Sequence, residues 1–246
     1  MTVAQIAELP MYVAPTAVHE ANEQWLALTL ALLGVGVHER FFGPLDELWL
    51  HPRLLLTQTC GYPLKTRLGE RVHVIGRPCF DLPDARGGAH CSLLVAHRND
   101  GRQTLAQWLG SHGVINSRDS NTGMNLLYRT LAPYAAPGQF FGRESISGSH
   151  RESLAWVSTG KADLAAIDNV TFAYLARHAP EEVANVRVIG RTEQSPTLPY
   201  ITRTHGVEGE VVRAAMNQAL AALPQVREVL ALTSVLPATL ADYQHL

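Results

Sequence analysis

The chain has 246 residues, which suits one large domain or two lobes of about 100–150 residues each. Hydrophobic residues make up 46% and charged residues 17% of it, a composition that excludes a disordered, collagen-like or membrane-embedded protein. Lys and Arg number 20 against 22 Asp and Glu, giving a formal charge of −2. Proteins that bind nucleic acid usually carry a basic excess, so we expect a soluble globule whose main partner is not nucleic acid.

The three cysteines, Cys60, Cys79 and Cys91, have neither CxxC nor His-paired spacing, and their number is odd. They therefore predict reduced thiols, and the sequence suggests no metal site, disulfide framework or cofactor. The amino terminus lacks a basic segment followed by a long apolar run, so as written the chain is predicted to be cytoplasmic. A misplaced start or missing export signal would instead make it periplasmic. The apolar stretch 25–37 is too short to span a membrane.

The first half of the chain reads as strands with one long helix. Apolar periodicity predicts, in chain order, a short apolar strand at 9–14, a helix at 19–33, and strands at 48–57, 71–76 and 91–96.

From residue 104 onward, helices and strands alternate. The predicted elements are a helix at 104–109, a strand at 114–116, helices at 122–131 and 152–158, a strand at 162–167, a helix at 170–177, a buried strand at 186–189 and a helix at 207–223. This alternation favours an α/β fold with parallel strand pairs, arranged as two lobes with a cleft between them.

Small polar residues follow the strand at 114–116 and lead into the next helix. Backbone N–H groups at a helix start lack partners within the helix and carry partial positive charge. An anionic group could therefore bind the amides near Asn121 and Gly123, with hydroxyls from Ser120 and Thr122. The same residue types are ordinary N-caps, so capping alone is an open alternative.

Two later stretches also place polar groups at helix starts. A glycine turn brings His150 to the beginning of a helix, where it could donate to a ligand oxygen, although a lone His often serves only its own structure. Asp168 ends a buried strand, the position at which α/β folds expose ligand-contacting groups. Capping the following helix is an equally open role for Asp168.

These stretches carry a resemblance. Asp-Ser-Asn-Thr-Gly at 119–123, Gly-Ser-His at 148–150 and Ala-Asp-Leu-Ala-Ala-Ile-Asp at 162–168 resemble the phosphate, phosphite and phosphonate periplasmic binding proteins. The similarity covers roughly residues 90–200, and the segments 11–15 and 57–63 more loosely resemble first-lobe loops of that family.

The resemblance implies an α/β, two-lobed type 2 periplasmic-binding-protein fold with two hinge crossings. It implies a first lobe of residues 1–97 and 193–246 and a second lobe of residues 98–192. The residues that it assigns to ligand binding are Tyr12 and Tyr62 in the first lobe and Ser120, Asn121, Thr122, His150 and Asp168 in the second.

The implied function is non-catalytic binding of a small polar or anionic, phosphate- or phosphonate-like ligand, with an ABC permease as a further partner. The ligand could also bear an amine that pairs with Asp168 or Glu193. Asp119 departs from the Ser- and Thr-rich family loop and would repel a dianion if it pointed inward.

Two other functions remain open. A cytosolic enzyme on the same fold, of dehydratase or cofactor-precursor biosynthesis type, could use His150, Asp168, Asp119 or Cys60 as acid, base or nucleophile, although they show no triad spacing. The second alternative is a structural or interaction module, which no specific residue of the sequence supports.

Overall fold

The computed structural model describes residues 4–36, 38–136, 138–203 and 208–246. They form two compact units, each an α/β unit with its own sheet, as the predicted fold class requires. The first unit comprises the described residues of Met1–Asp81, Arg86–Ala89 and Pro196–Leu246, and the second comprises Leu82–Ala85 and His90–Ser195.

The strands of the described residues are, in chain order, β1 (Gln5–Ala7), β2 (His38–Glu39), β3 (Leu54–Gln58), β4 (His73–Phe80), β5 (Ala89–His90), β6 (Ser92–His97), β7 (His112–Ile115), β8 (Arg143–Ile146), β9 (Leu164–Asp168), β10 (Val186–Arg191), β11 (Ser195–Pro196), β12 (Tyr200–Thr202) and β13 (Leu232–Leu236).

The α-helices are α1 (Thr16–Leu32), α2 (Leu45–Trp49), α3 (Gly61–Pro63), α4 (Leu126–Leu131), α5 (His150–Ser158), α6 (Asn169–His178), α7 (Pro180–Val183), α8 (Gly209–Ala222) and α9 (Pro224–Leu230). Wider π-type turns at Leu64–Leu68 and Asn121–Asn125 adjoin α3 and α4, and 3₁₀ turns occur at Gly69–Arg71, Leu105–Trp108 and Leu240–Tyr243.

The first unit is built on a sheet with the order β13-β4-β12-β3-β1-β2. β1 is parallel to β2 and β3, and the other neighbours are antiparallel. Trp25 on α1 donates from Nε1 to the Met216 carbonyl of α8 at 2.9 Å and meets Tyr200 of β12 edge to face. These contacts join the helical layer to the sheet of this unit.

The second unit is built on a sheet with the order β10-β6-β9-β7-β8. Leu93 and Val95 of β6 face one apolar core, whereas Leu94 and Ala96 face another. Successive strand residues point to opposite faces, so this sheet is buried on both sides. That burial explains why β6 and β9 appear in the sequence as unbroken apolar runs.

The boundary between the units differs from the expected one. The expected first lobe included residues up to 97, but β6 lies between β10 and β9 in the sheet of the second unit. The hydrogen bonding of the whole strand therefore places 92–97 in the second unit.

Several predicted elements are corrected by pairing and packing. The expected parallel strand pairs are present, because β7 is parallel to β8 and β9; β6 runs antiparallel to β9 and β10, so the sheet as a whole is mixed. β10 is an edge strand with partly exposed residues and not a buried one. The apolar run at 9–14 contains no strand, since β1 precedes it.

Other differences concern element type. The predicted strand at 48–57 begins instead as the end of α2, and β3 starts at Leu54. Neither α9 nor β13 was predicted, and Ala231 in left-handed conformation ends α9. The predicted helix at 207–223 is observed as α8, while Val207 lies outside the described residues. Over the described ranges, no helix has both the length and the apolar character needed to cross a membrane.

Candidate functional site

A helix begins at Asn121 in the second unit, a few residues after β7 ends. Ser120 is its N-cap, with Oγ accepting the Gly123 N–H at 2.9 Å, so the capping role suggested by the sequence is present. The Thr122 carbonyl accepts from Ser92 Oγ of β6 at 2.6 Å, which fixes the helix start against the sheet. The cap uses the Gly123 N–H. The Thr122 N–H lies before the first hydrogen bond within the helix, so it has no acceptor within the helix.

The Asn121 side chain is directed into the protein. Its Nδ2 donates to Ser195 Oγ at 2.8 Å, and its Oδ1 accepts from Asn125 Nδ2 at 2.9 Å. Only 2% of Asn121 is exposed. These bonds support a positioning role for the side chain, and direct ligand contact by Asn121 stays a prediction.

Thr122 and His150 are brought together at this helix start. Thr122 Oγ1 lies 3.0 Å from His150 Nε2, and the Asp168 N–H donates to His150 Nδ1 at 3.3 Å. A ring nitrogen that accepts a hydrogen bond carries no proton, so this contact favours the tautomer protonated on Nε2. In that tautomer, Nε2 donates to the Thr122 oxygen. The Thr122 hydroxyl hydrogen has no other acceptor among the residues that the structure describes.

His150 favours its neutral form in this environment. Burial of the imidazole lowers its pKa, and this outweighs the opposite effects of the Asp168 charge and of the Ala166 carbonyl. The nearby His90 charge acts in the same direction as burial. The site therefore offers the neutral Thr122 hydroxyl as a donor, and a neutral imidazole holds that hydroxyl in place.

Asp168 has two roles in the structure. Its Oδ1 accepts the Thr171 N–H at 3.0 Å and so caps α6. Its Oδ2 lies 2.9 Å from His90 Nδ1, an ion-pair distance, although the atoms are not aligned for a linear hydrogen bond. Burial raises the pKa of Asp168, but His90, His150 and the Thr171 N–H together hold that pKa below its ordinary value.

Tyr12 and Tyr62 lie in the first unit. Tyr12 is buried, packs edge to face on Phe80 at 6.2 Å and accepts from Asn22 Nδ2 through its carbonyl. Tyr62 is partly exposed on α3, and its carbonyl accepts from Thr66 Oγ1 at 2.8 Å. Ligand contact by either tyrosine stays a prediction.

The other residues that the sequence offered as acids, bases, nucleophiles or ligand contacts interact with neighbouring protein groups or are buried. Asp119 accepts from Ser117 Oγ at 2.7 Å, and Glu193 pairs with Arg129 at 2.7 Å. Cys60 is buried in the first unit. In the described part of the chain, no three His, Cys, Asp or Glu side chains are grouped so that they could hold a metal ion.

Sequence reasoning missed His90 and Ser92. Ser92 lies opposite Asp168 in the β6–β9 pair, and this pairing also brings His90 to the Asp168 carboxylate. A histidine just before an apolar strand is a weak local signal. These two residues reach the site only because β6 and β9, more than 70 positions apart in the chain, pair in this register.

The geometry combines a helix start, a hydroxyl donor and a neutral histidine. The family profile "ABC transporter, phosphonate, periplasmic substrate-binding protein" matches residues 83–243, well over half of the chain. The chain belongs to this family. No curated protein matches the sequence.

Solved structures of binding proteins have the same fold. PhnD1 from Prochlorococcus marinus, solved with methylphosphonate, is 15% identical with a TM-score of 0.75, covering 98% of this chain and 94% of PhnD1. The binding component of a phosphonate ABC transporter from Pseudomonas aeruginosa is 14% identical with a TM-score of 0.76, covering 98% and 83%. The aliphatic sulphonate-binding protein SsuA from Escherichia coli is 16% identical with a TM-score of 0.58, covering 98% and 78%.

These findings confirm the family and the fold class expected from the sequence motifs. A substrate-binding protein of an ABC transporter holds a small ligand without transforming it, so the function of this chain is non-catalytic ligand binding. Membership of the family implies a permease partner and fits a periplasmic location.

Proposed function

We propose that this substrate-binding protein takes a phosphonate- or phosphate-like oxyanion, whose tetrahedral head group binds at the start of the helix that begins at Asn121. The Thr122 hydroxyl and backbone N–H donate to its oxygens, and His150 orients the hydroxyl. The observation that carries this proposal is the 3.0 Å contact between Thr122 Oγ1 and His150 Nε2.

The hydroxyl hydrogen of Thr122 supports an anionic ligand. Thr122 is only 3% exposed, and a buried hydroxyl hydrogen without an acceptor is unfavourable. Because His150 donates to the Thr122 oxygen, that hydrogen is available for an acceptor that the ligand supplies. The partial positive charge of the helix start favours an acceptor that is negative.

The contacts of Asp168 support binding over nucleophilic catalysis. A hydroxyl–His–Asp triad needs the carboxylate on Nδ1 of the histidine, so that Nε2 can take the hydroxyl proton. Here Nδ1 of His150 faces the Asp168 N–H, and the Asp168 carboxylate faces His90. His150 is therefore arranged to donate to Thr122 and not to activate it.

Membership of an ABC-transporter family supports a transporter partner for the loaded protein. We propose that the chain acts in the periplasm and delivers its ligand to an ABC permease. Fractionation of cells that express the gene from its native locus tests this part, and recovery of the protein solely in the cytoplasm contradicts it.

Replacement of Thr122 by Val tests the ligand site. Val keeps the branched shape and removes the hydroxyl. A hydrogen bond to a charged group contributes about 1.5–3 kcal/mol, so the Kd for methylphosphonate should rise about ten- to a hundredfold. Titration calorimetry on the full chain, in a buffer free of phosphate, measures this change.

Thr130→Val is the matched control. Thr130 lies on the same helix, and its hydroxyl donates to the Leu126 carbonyl at 2.8 Å. This variant should bind methylphosphonate as the unchanged protein does. The proposal is wrong if Thr122→Val binds as tightly as the Thr130 control, or if the unchanged protein binds neither methylphosphonate nor inorganic phosphate.

A further inference from the structure

The carboxylate of Asp168 already has a partner within the protein. His90 Nδ1 approaches Asp168 Oδ2 to 2.9 Å, and the exposed fractions of the two side chains are 1% and 2%. The other carboxylate oxygen accepts the Thr171 N–H at 3.0 Å. Both oxygens are thus engaged by residues of the second unit.

The strand pairing fixes His90 in this place. The Asn169 N–H donates to the Cys91 carbonyl at 3.1 Å, and the Cys91 N–H faces Asn169 Oδ1 at 3.4 Å. These bonds join the residue after His90 to the residue after Asp168. The imidazole and the carboxylate are therefore held together by the backbone and do not depend on a flexible side chain.

A buried carboxylate needs a positive or hydrogen-donating partner. Beside a ligand site, that partner is either a protein residue or a cationic group of the ligand. Asp168 adjoins the proposed head-group site, because its own N–H contacts His150, which contacts Thr122. Without His90, the Oδ2 atom of Asp168 would lose its imidazole neighbour, and an ammonium group on the ligand could take the place of that imidazole.

We propose that His90 is a specificity-determining residue, which satisfies Asp168 from within the protein and so directs the site to oxyanions whose substituent carries no amine. This inference rests on the proposed function and narrows its ligand class. Glu193, the other acid that the sequence offered to an amine, is paired with Arg129 at 2.7 Å. Neither of these two carboxylates needs a cation from the ligand.

Two phosphonates that differ only in an amine test the inference. Titration calorimetry on the full chain gives Kd for ethylphosphonate and for 2-aminoethylphosphonate, and the preference is the ratio of the two values. In His90→Asn, Asp168 keeps the Thr171 N–H but loses the imidazole beside Oδ2, so the preference should shift toward the amine-bearing ligand by about tenfold, the effect of one charge-assisted hydrogen bond.

The double variant His90→Asn with Asp168→Asn is the matched control. It removes the imidazole and the carboxylate together, so its preference should return to within about threefold of the unchanged protein, a difference below 1 kcal/mol. Any other residue that affects amine recognition is the same in the single and the double variant, so the difference between them reports only on the Asp168 carboxylate.

Three results would overturn the inference. One is a folded His90→Asn variant with an unchanged preference, and another is a double variant that keeps the shift of the single variant. The third needs no variant, namely tighter binding of 2-aminoethylphosphonate than of ethylphosphonate by the unchanged protein. In these cases phosphonate binding itself survives. Failure to bind ethylphosphonate also overturns the inference, whereas the proposed function fails only if methylphosphonate and inorganic phosphate are not bound either.

Discussion

Replacing Gly123 by Ala tests how closely the helix start is packed. Gly123 is the third residue of the helix that begins at Asn121. A Cβ atom on Gly123 would lie 1.8 Å from Asn116 Oδ1 and 3.0 Å from His150 Cε1. The first separation is far inside van der Waals contact, so the Asn116 side chain must move before an alanine fits.

Two opposing effects set the size of the change. Ala is favoured over Gly in a helix by about 1 kcal/mol. Forcing an extra carbon into a packed site typically costs about 1–3 kcal/mol. Asn116 Oδ1 is enclosed, so the side chain has little open space to enter. We therefore expect Gly123→Ala to lower the free energy of unfolding by up to about 2 kcal/mol.

Urea unfolding of four proteins measures this effect and isolates its cause. The four are the unchanged chain, Gly123→Ala, Asn116→Ala and the double variant. Asn116 Oδ1 has no donor within the described ranges, so Asn116→Ala breaks no hydrogen bond of that atom. In the Asn116→Ala background the main obstacle is gone, and Gly123→Ala should be neutral or stabilising by up to about 1 kcal/mol.

The double-mutant cycle can refute this reasoning. If Gly123→Ala has the same effect on the unfolding free energy in both backgrounds, Asn116 does not restrict this position. A stabilising effect in the unchanged background would show that helix propensity outweighs the packing described here.

Two further predictions concern the cap and the histidine. Ser120→Ala removes the bond to the Gly123 N–H and should lower stability by about 1 kcal/mol and weaken methylphosphonate binding. Ser149→Ala, which removes the equivalent bond to the Glu152 N–H, should lower stability similarly in urea unfolding without affecting binding. The pKa of His150 in the folded protein lies below its ordinary value of 6.5. As pH falls below 6.5, the unfolded chain therefore binds more protons than the folded protein, and the free energy of unfolding decreases. His150→Gln should flatten this part of the stability–pH profile, and an unchanged slope would contradict the assigned environment.

The sequence predicted the local features of the site well. Ser120 and Asp168 have the residue types and positions of N-caps, and both cap helices in the structure. The buried runs that became β6 and β9 were also visible, because burial on both faces demands apolar residues at every position. These features depend on neighbouring residues, which the sequence displays directly.

Elements that depend on partners were harder to predict. β8 is a short polar edge strand, Arg-Glu-Ser-Ile, whose identity comes from its parallel pairing with β7. β13 follows a left-handed Ala231 and pairs with β4, which is about 150 positions earlier in the chain. Neither pattern stands out locally, since β propensity depends on the strand that it pairs with.

The sequence by itself determined the α/β class, the family and the helix start that carries Ser120 and Thr122. Only the tertiary structure decided that Asp168 has His90 as its partner and that His150 meets Asp168 through the backbone N–H. The reason is physical. A helix cap is fixed by residues within one turn. The His90 contact, by contrast, exists only after antiparallel pairing has placed β6 and β9 in register, and the His150 contact only after α5 has packed on β9.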